Sequence, residues 1–276
     1  MSDLSMRVVS IYGVAVVPAF DAVNRNLHTV HLPGSVLSRH LVSMDSFWEC
    51  LTNCPNLHDL SLRLDTSREC ETPIHTVEHS HLKTCTLYFS GDVDPGPHLD
   101  KLRLPVLSNL SIFMIRWSQR DHWPHLAELL SRSRSLTALH ISGLHISDDN
   151  FLQCLRSALH LVTLVVGQTS TTEAIFKALV VKRRRECLCP RLEQIDLGPC
   201  EEVSWQPVRD MILSRWGGVL AEDDDRSKRG PGQVLQRISW CTNSSEFRQN
   251  MRGDSAFQQC LRDGLKAEAK PVRGTS

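Results

Sequence analysis

The sequence predicts an α/β solenoid: short parallel strands laid side by side on a concave face, with helical or loop returns on the convex face. Three observations predict it. An apolar pattern, L-x-x-L-x-[LIV], recurs along almost the whole chain. Between several copies lie stretches with apolar residues at helical spacing. The chain has 276 residues and is 41% hydrophobic and 22% charged, which supplies enough apolar mass for a sizeable core.

The pattern appears at Leu27-Val30-Leu32, Leu57-Leu60-Leu62, Leu82-Cys85-Leu87 and Leu107-Leu110-Ile112. It continues at Leu136-Leu139-Ile141, Leu161-Leu164-Val166 and Leu192-Ile195-Leu197, and more weakly at Leu235-Ile238-Trp240. Two apolar residues at spacing two point to one face of a short strand. The preceding leucine packs into the same interior. One unit buries too little by itself, and stacked units share a core. The period fits a leucine-rich repeat of about 20–29 residues, with longer members where a full helix is inserted. A horseshoe of about eight irregular repeats is expected. A polar residue three places past the last apolar one would bond neighbouring turns. That column reads Ser35, Asp65, Ser90, Ile115, Leu144, Thr169, Cys200 and Asn243, a degenerate ladder.

The returns follow in order. Asp45 to Leu51 and Trp123 to Leu130 predict short helices. Asp148-Asp149 open a helix with Phe151, Leu152, Leu155 and Leu159 on one stripe, and acids suit a helix start. Thr171-Thr172-Glu173 open another, carrying Ile175, Phe176, Leu179 and Val180. Trp205 to Trp216 predicts a third, with Pro207 in its first turn. The Pro- and Gly-rich returns before Leu82 and Leu107 predict loops or one helical turn. Residues 27–253 are thus the repeat domain, with a flexible insertion near 221–233 where charges cluster. Residues 1–26 read as an atypical N-terminal segment or remnant cap. The apolar run from Val8 to Val17 stops at Pro18 and is too short to span a bilayer. Residues 254–269 predict a C-terminal capping helix and 270–276 a disordered tail.

The run SLTALHISGLHISDDNFLQCLRSALHLVTLVV, then RLEQIDLGPC, then DMILSRW at Asp210 to Trp216, resembles the leucine-rich regions of fungal (basidiomycete) F-box proteins. The resemblance covers roughly Leu27 to Trp240. In that family an N-terminal F-box docks a cullin ubiquitin ligase through its adaptor, and the repeats bind the substrate. Residues 1–26 hold no L-P-x-E-[IVL]-L-like helix, so adaptor binding is implied only if an F-box lies upstream.

Other chemistry is sparse. Lys plus Arg and Asp plus Glu number 31 each, so no long-range field favours nucleic acid or an anionic membrane. The ten cysteines contain no C-x-x-C, and Cys50, Cys85 and Cys154 fall at core positions, which suits a reducing compartment. His75-Thr-Val-Glu-His79 matches H-x-x-E-H, and a helix begun at Thr72-Pro73 would place both histidines on one face. With thirteen histidines in the chain, surface histidines are the default, adventitious zinc at His75, His79 and His81 comes next, and a metal hydrolase is the remote alternative. Asp92 and Asp94 read as a turn, since the other ligand positions of a calcium loop are missing. Lys182 to Arg185 read as a helix end. Arg252-Gly253-Asp254 read as a helix lead-in. Trp48, Trp205 and Trp216 are expected in the core, and one of Trp117 and Trp123 exposed.

The concave face would carry the strand residues between the buried ones: Thr29, His31, Asp59, Ser61, Arg63, Thr84, Thr86, Tyr88, Asn109, Ser111, Phe113, His140, Thr163, Gln194 and Asp196. Mixed polarity with two aromatics and no dominant charge suits protein recognition rather than nucleic acid. The expectation is a non-enzymatic protein-interaction module, without cofactor or metal. It would be a monomer in the cytoplasm or nucleus, binding a protein substrate on the concave face. A non-ligase scaffold or regulator on the same repeats is the alternative.

Overall fold

A computed structural model describes residues 7–11, 19–33, 41–68, 70–71, 75–115, 123–144, 146–169, 171–181, 187–199, 203–216 and 235–270. Ser35 and Cys200 of the polar column, Thr72-Pro73, Trp117, the basic run 182–185, the insertion 221–233 and the tail beyond 270 lie outside them. The chain divides into two compact units, residues 1–136 with 141–144 and residues 137–140 with 145–276. The fold is α/β, and every strand pairing within each unit is parallel.

In the first unit the strands β1 (Val8–Ser10), β2 (Thr29–Leu32), β3 (Asp59–Asp65), β5 (Thr84–Ser90) and β7 (Asn109–Ile115) lie side by side in that order. Their returns hold α1 (Met44–Asn53), α2 (Gly96–Leu99) and α3 (His125–Arg132), and a second small ladder joins β4 (Val77–Glu78) to β6 (Leu102–Arg103). In register, Val30, Leu60, Cys85 and Leu110 form one buried row and Leu32, Leu62, Leu87 and Ile112 the next. Gly91, just past β5, sits at φ +150, and a side chain there would run into the Thr66–Ser67 backbone.

In the second unit the order is β8 (Ala138–Ser142, of which residues 138–140 belong to this unit), β9 (Thr163–Gly167), β10 (Gln194–Pro199), β11 (Arg237–Cys241) and β12 (Lys266–Lys270). The returns are α4 (Asp148–Ser157), α5 (Glu173–Leu179), α6 (Trp205–Trp216), α7 (Ser245–Gly253) and α8 (Ser255–Arg262). Leu164, Ile195 and Ile238 form one buried row. Trp205 gathers Trp240 at 6.3 Å, Phe247 at 5.3 Å and Phe257 at 5.0 Å into an aromatic cluster.

The same hydrogen bonds recur at most steps. The amides of Leu57, Leu107, Leu136, Leu161 and Leu192 each donate to the carbonyl three residues back. At most steps one carbonyl ahead of a strand then accepts two amides from the next. His28 O takes His58 and Asp59, His58 O takes Lys83 and Thr84, and Lys83 O takes Ser108 and Asn109. In the second unit Thr137 O takes Val162 and Thr163, Val162 O takes Glu193 and Gln194, and Glu193 O takes Gln236 and Arg237. Helix starts are capped where short polar side chains precede them: Ser43, Ser147, Thr172, Ser244 and Asp254 each accept a backbone amide.

Two expectations are corrected. The helix anticipated over 254–269 ends at Arg262; Gly264, at φ +109, turns the chain, and Lys266–Lys270 become the strand β12 against β11. Its alternation of charged residues with alanine has the strand period of two, which the helical reading overlooked. The polar column also forms no ladder at Asp65 and Thr169. Asp65 accepts the Ser67 amide and Thr169 donates to the Gly167 carbonyl, each inside its own turn. Of the two tryptophans of which one is expected to be exposed, Trp123 is buried, its indole donating to Asp94 at 2.9 Å, and Trp117 lies outside the described residues.

Candidate functional site

Alternation puts the apolar residues of each strand inside and leaves the residues between them on the outer side of the sheet. In the first unit they fall in register rows. Thr29, Asp59, Thr84 and Asn109 form one row, and His31, Ser61, Thr86 and Ser111 the next. Arg63, Tyr88 and Phe113 form a third. The predicted residues of this unit are therefore brought together, row by row. His31 Nε2 lies 3.1 Å from Asp59 Oδ2. Tyr88 and Phe113 stack at 4.4 Å with their rings inclined by 10°, both half-buried. Arg63 is largely buried at 7% exposure, so its charge is not freely presented.

The middle row carries only small hydroxyls beside His31. It leaves room between the aromatic pair and the Thr-Asp-Thr-Asn row. Stacked rings contribute roughly 0.5–1.5 kcal/mol beyond area burial, and Tyr adds a polar tip to a rigid apolar body. These are the properties of interface anchors.

In the second unit Thr163, Gln194, Arg237 and Lys266 share one row, and Val165, Asp196, Ser239 and Glu268 the next. These rows line a groove of about 500 Å³. Lys270 Nζ reaches across to Asp196 at 2.8 Å and to the Ser239 hydroxyl at 3.2 Å. The bond to Asp196 holds the Lys270 ammonium above its ordinary pKa. His140 is half-buried on β8, and burial lowers its pKa against the pull of Asp196.

No protein-family model matches this chain, and no curated protein matches it.

The predicted face thus gains five residues on two strands: Arg237, Ser239, Lys266, Glu268 and Lys270. The weak last motif concealed the first two. The others sit on a strand whose alternation K-A-E-A-K carried the signal, but whose inward positions are alanines rather than leucines.

The H-x-x-E-H segment is not helical. Val77 and Glu78 lie in β4, His75 is exposed, and His79 is buried with Nε2 3.0 Å from the Cys54 carbonyl oxygen. The two histidines therefore do not share a helix face, which corrects that expectation. Among the described residues no group of three or more His, Cys, Asp or Glu side chains is placed to hold a metal ion. Asp94 is occupied as a turn residue, accepting the Gly96 amide at 2.8 Å. Among the described residues no helix is long and apolar enough to cross a membrane.

Proposed function

We propose that this protein is a leucine-rich-repeat solenoid that recognises a protein partner on the outer face of its sheet, as the substrate-binding repeats of fungal F-box proteins do. The observation that carries the reading is the Tyr88–Phe113 stack, 4.4 Å apart, set beside a row of small polar side chains. Such a pair costs little conformational entropy to immobilise and offers apolar ring surface and a hydroxyl to a partner. The repeated two-amide carbonyl at successive steps supports a repeat architecture, in which neighbouring units share their core.

Replacement of Tyr88 and Phe113 together by alanine tests the reading. Capture of a partner by the immobilised chain is expected to fall at least about tenfold, equivalent to about 1.4 kcal/mol, while the melting transition stays cooperative. Unchanged capture would remove this face from consideration. Binding of the purified cullin-ligase adaptor separates a ligase subunit from a scaffold. The ligase reading requires that the protein carry an F-box and bind the adaptor, and a scaffold does not bind it.

A further inference from the structure

We propose that the groove of the second unit receives an acidic segment of the partner protein, whose carboxylates are held between Arg237 and Lys266. This rests on the reading of the sheet face as a protein-binding surface, and it concerns residues that the Tyr88–Phe113 test leaves untouched.

Arg237 and Lys266 stand directly opposite each other on adjacent strands. Neighbouring strands are about 4.8 Å apart, and like charges directly opposite destabilise a sheet. Among the described residues neither side chain makes a hydrogen bond or an ion pair, and both are exposed. The row is completed by Gln194 and Thr163, neutral groups that can donate further hydrogen bonds.

Asp196 is engaged by Lys270. Glu193, at the entrance to β10, accepts from Gln236 at 2.9 Å. Glu268 lies one row further along, opposite Ser239. The groove therefore offers two unpaired cations on one row, and a single unpaired carboxylate, that of Glu268, on the next. An anion placed between Arg237 and Lys266 removes their mutual repulsion and gains charge-assisted hydrogen bonds, including the two-pronged arginine–carboxylate contact.

The same charges select the class of ligand. Glu268 repels a continuous phosphodiester backbone, and the chain as a whole carries no net charge to attract one. A peptide, by contrast, can place a carboxylate on the first row and a neutral or basic residue on the second. A volume of about 500 Å³ accommodates a few side chains.

The experiment uses the full chain and three fluorescein-labelled peptides of equal length. Their centres carry three glutamates, three phosphoserines or three lysines, and fluorescence anisotropy reads binding. The glutamate peptide should bind, more weakly as salt rises, and the lysine peptide should not. Binding of the phosphoserine peptide without the glutamate peptide overturns the assignment of the groove to carboxylates. Arg237→Gln with Lys266→Gln should weaken acidic-peptide binding at least about tenfold. It should melt no lower than the parent, because a like-charge pair has been removed. Arg237→Glu with Lys266→Glu should reverse the preference toward lysine. Failure of the glutamate peptide to bind the parent chain overturns the proposal, as does equal binding by the glutamine variant. A preference for single-stranded RNA over the peptides does the same. The chain with Tyr88→Ala and Phe113→Ala should retain peptide binding. Unchanged partner capture by that chain, with acidic-peptide binding intact, therefore faults the first-unit face alone, and loss of capture there with no acidic-peptide binding to the parent chain faults only the groove.

Discussion

Asp254 fixes three things with one carboxylate. It accepts the Phe257 amide at 3.0 Å as the cap of α8, the Trp205 indole at 3.2 Å and the Arg209 guanidinium at 2.6 Å. Burial opposes its ionised form, but these three donors together hold its pKa below the ordinary carboxylate value. Asp254→Ala should therefore cost about 2 kcal/mol or more, from a lost cap and a part-buried arginine left without its partner, measured by urea unfolding. Asp254→Asn should recover part of it, since the cap acceptor remains. Three histidines add a pH dependence of definite sign. Burial lowers the pKa of His79, His98 and His140, in His98 against the pull of Asp45 and Asp94. Their neutral forms are favoured in the folded chain, and His98 Nδ1 accepts the Trp48 indole at 3.2 Å, which a protonated ring cannot do. Above the unfolded value of about 6.5 there is no penalty. As pH falls below it, the unfolded chain takes up protons that the folded chain refuses, and stability drops. The melting temperature should decline from pH 7 to pH 5, and less steeply in His98→Gln. A melting temperature that rises on acidification would contradict this account.

At the scale of elements, α6 is held by a residue its sequence did not advertise. The stretch DMILSRW is distinctive as a motif, yet nothing in its pattern gives Arg215 a role. Arg215 is buried, donating to the Leu179 carbonyl at 2.7 Å, the Leu188 carbonyl at 2.7 Å and the Cys189 carbonyl at 3.2 Å. It satisfies carbonyls at the end of α5 and in the turn before β10 that no amide of a following helical turn reaches. A lysine is a point charge without the planar fork and cannot meet all three. Arg215→Lys should cost roughly 3 kcal/mol, and Arg215→Met more than a buried methionine ordinarily does, because three acceptors lose their partner. Gly91 makes the matching case for a turn. Gly91→Ala places a side chain against the Thr66–Ser67 backbone and should lower the melting temperature well beyond the effect of an exposed glycine such as Gly253→Ala.

At the scale of the molecule, the parts with a strong period were legible and the parts without one were not. Strands β3, β5, β7, β9 and β10 lie on their motifs, because a buried leucine at spacing two admits few alternatives. Helices α4 and α6 were foreseen from acids and Pro near their starts. β12 was missed because alanine, not leucine, fills its inner positions, and with it three residues of the groove. The Arg237–Lys266 juxtaposition depends on register between strands separated by two helices, which no local pattern encodes. Among the described residues most cysteines lie in the core. Burial pushes Cys85, Cys154 and Cys189 up to about 12. Alkylation of the native chain followed by peptide mass mapping should label Cys187 and Cys241, which are partly exposed, well before these three. Early labelling of Cys85 would mean that the first-unit core opens readily.

The meeting of Trp205 with Trp240, 6.3 Å apart and inclined by 41°, has an optical consequence. Two indoles so close and so skewed couple their electronic transitions, and a coupled chromophore pair without mirror symmetry gives a circular-dichroism couplet in the aromatic bands. The second unit thus carries its own intrinsic signal of order, readable without any label, and Trp240→Phe would silence it while leaving the rest of the spectrum in place.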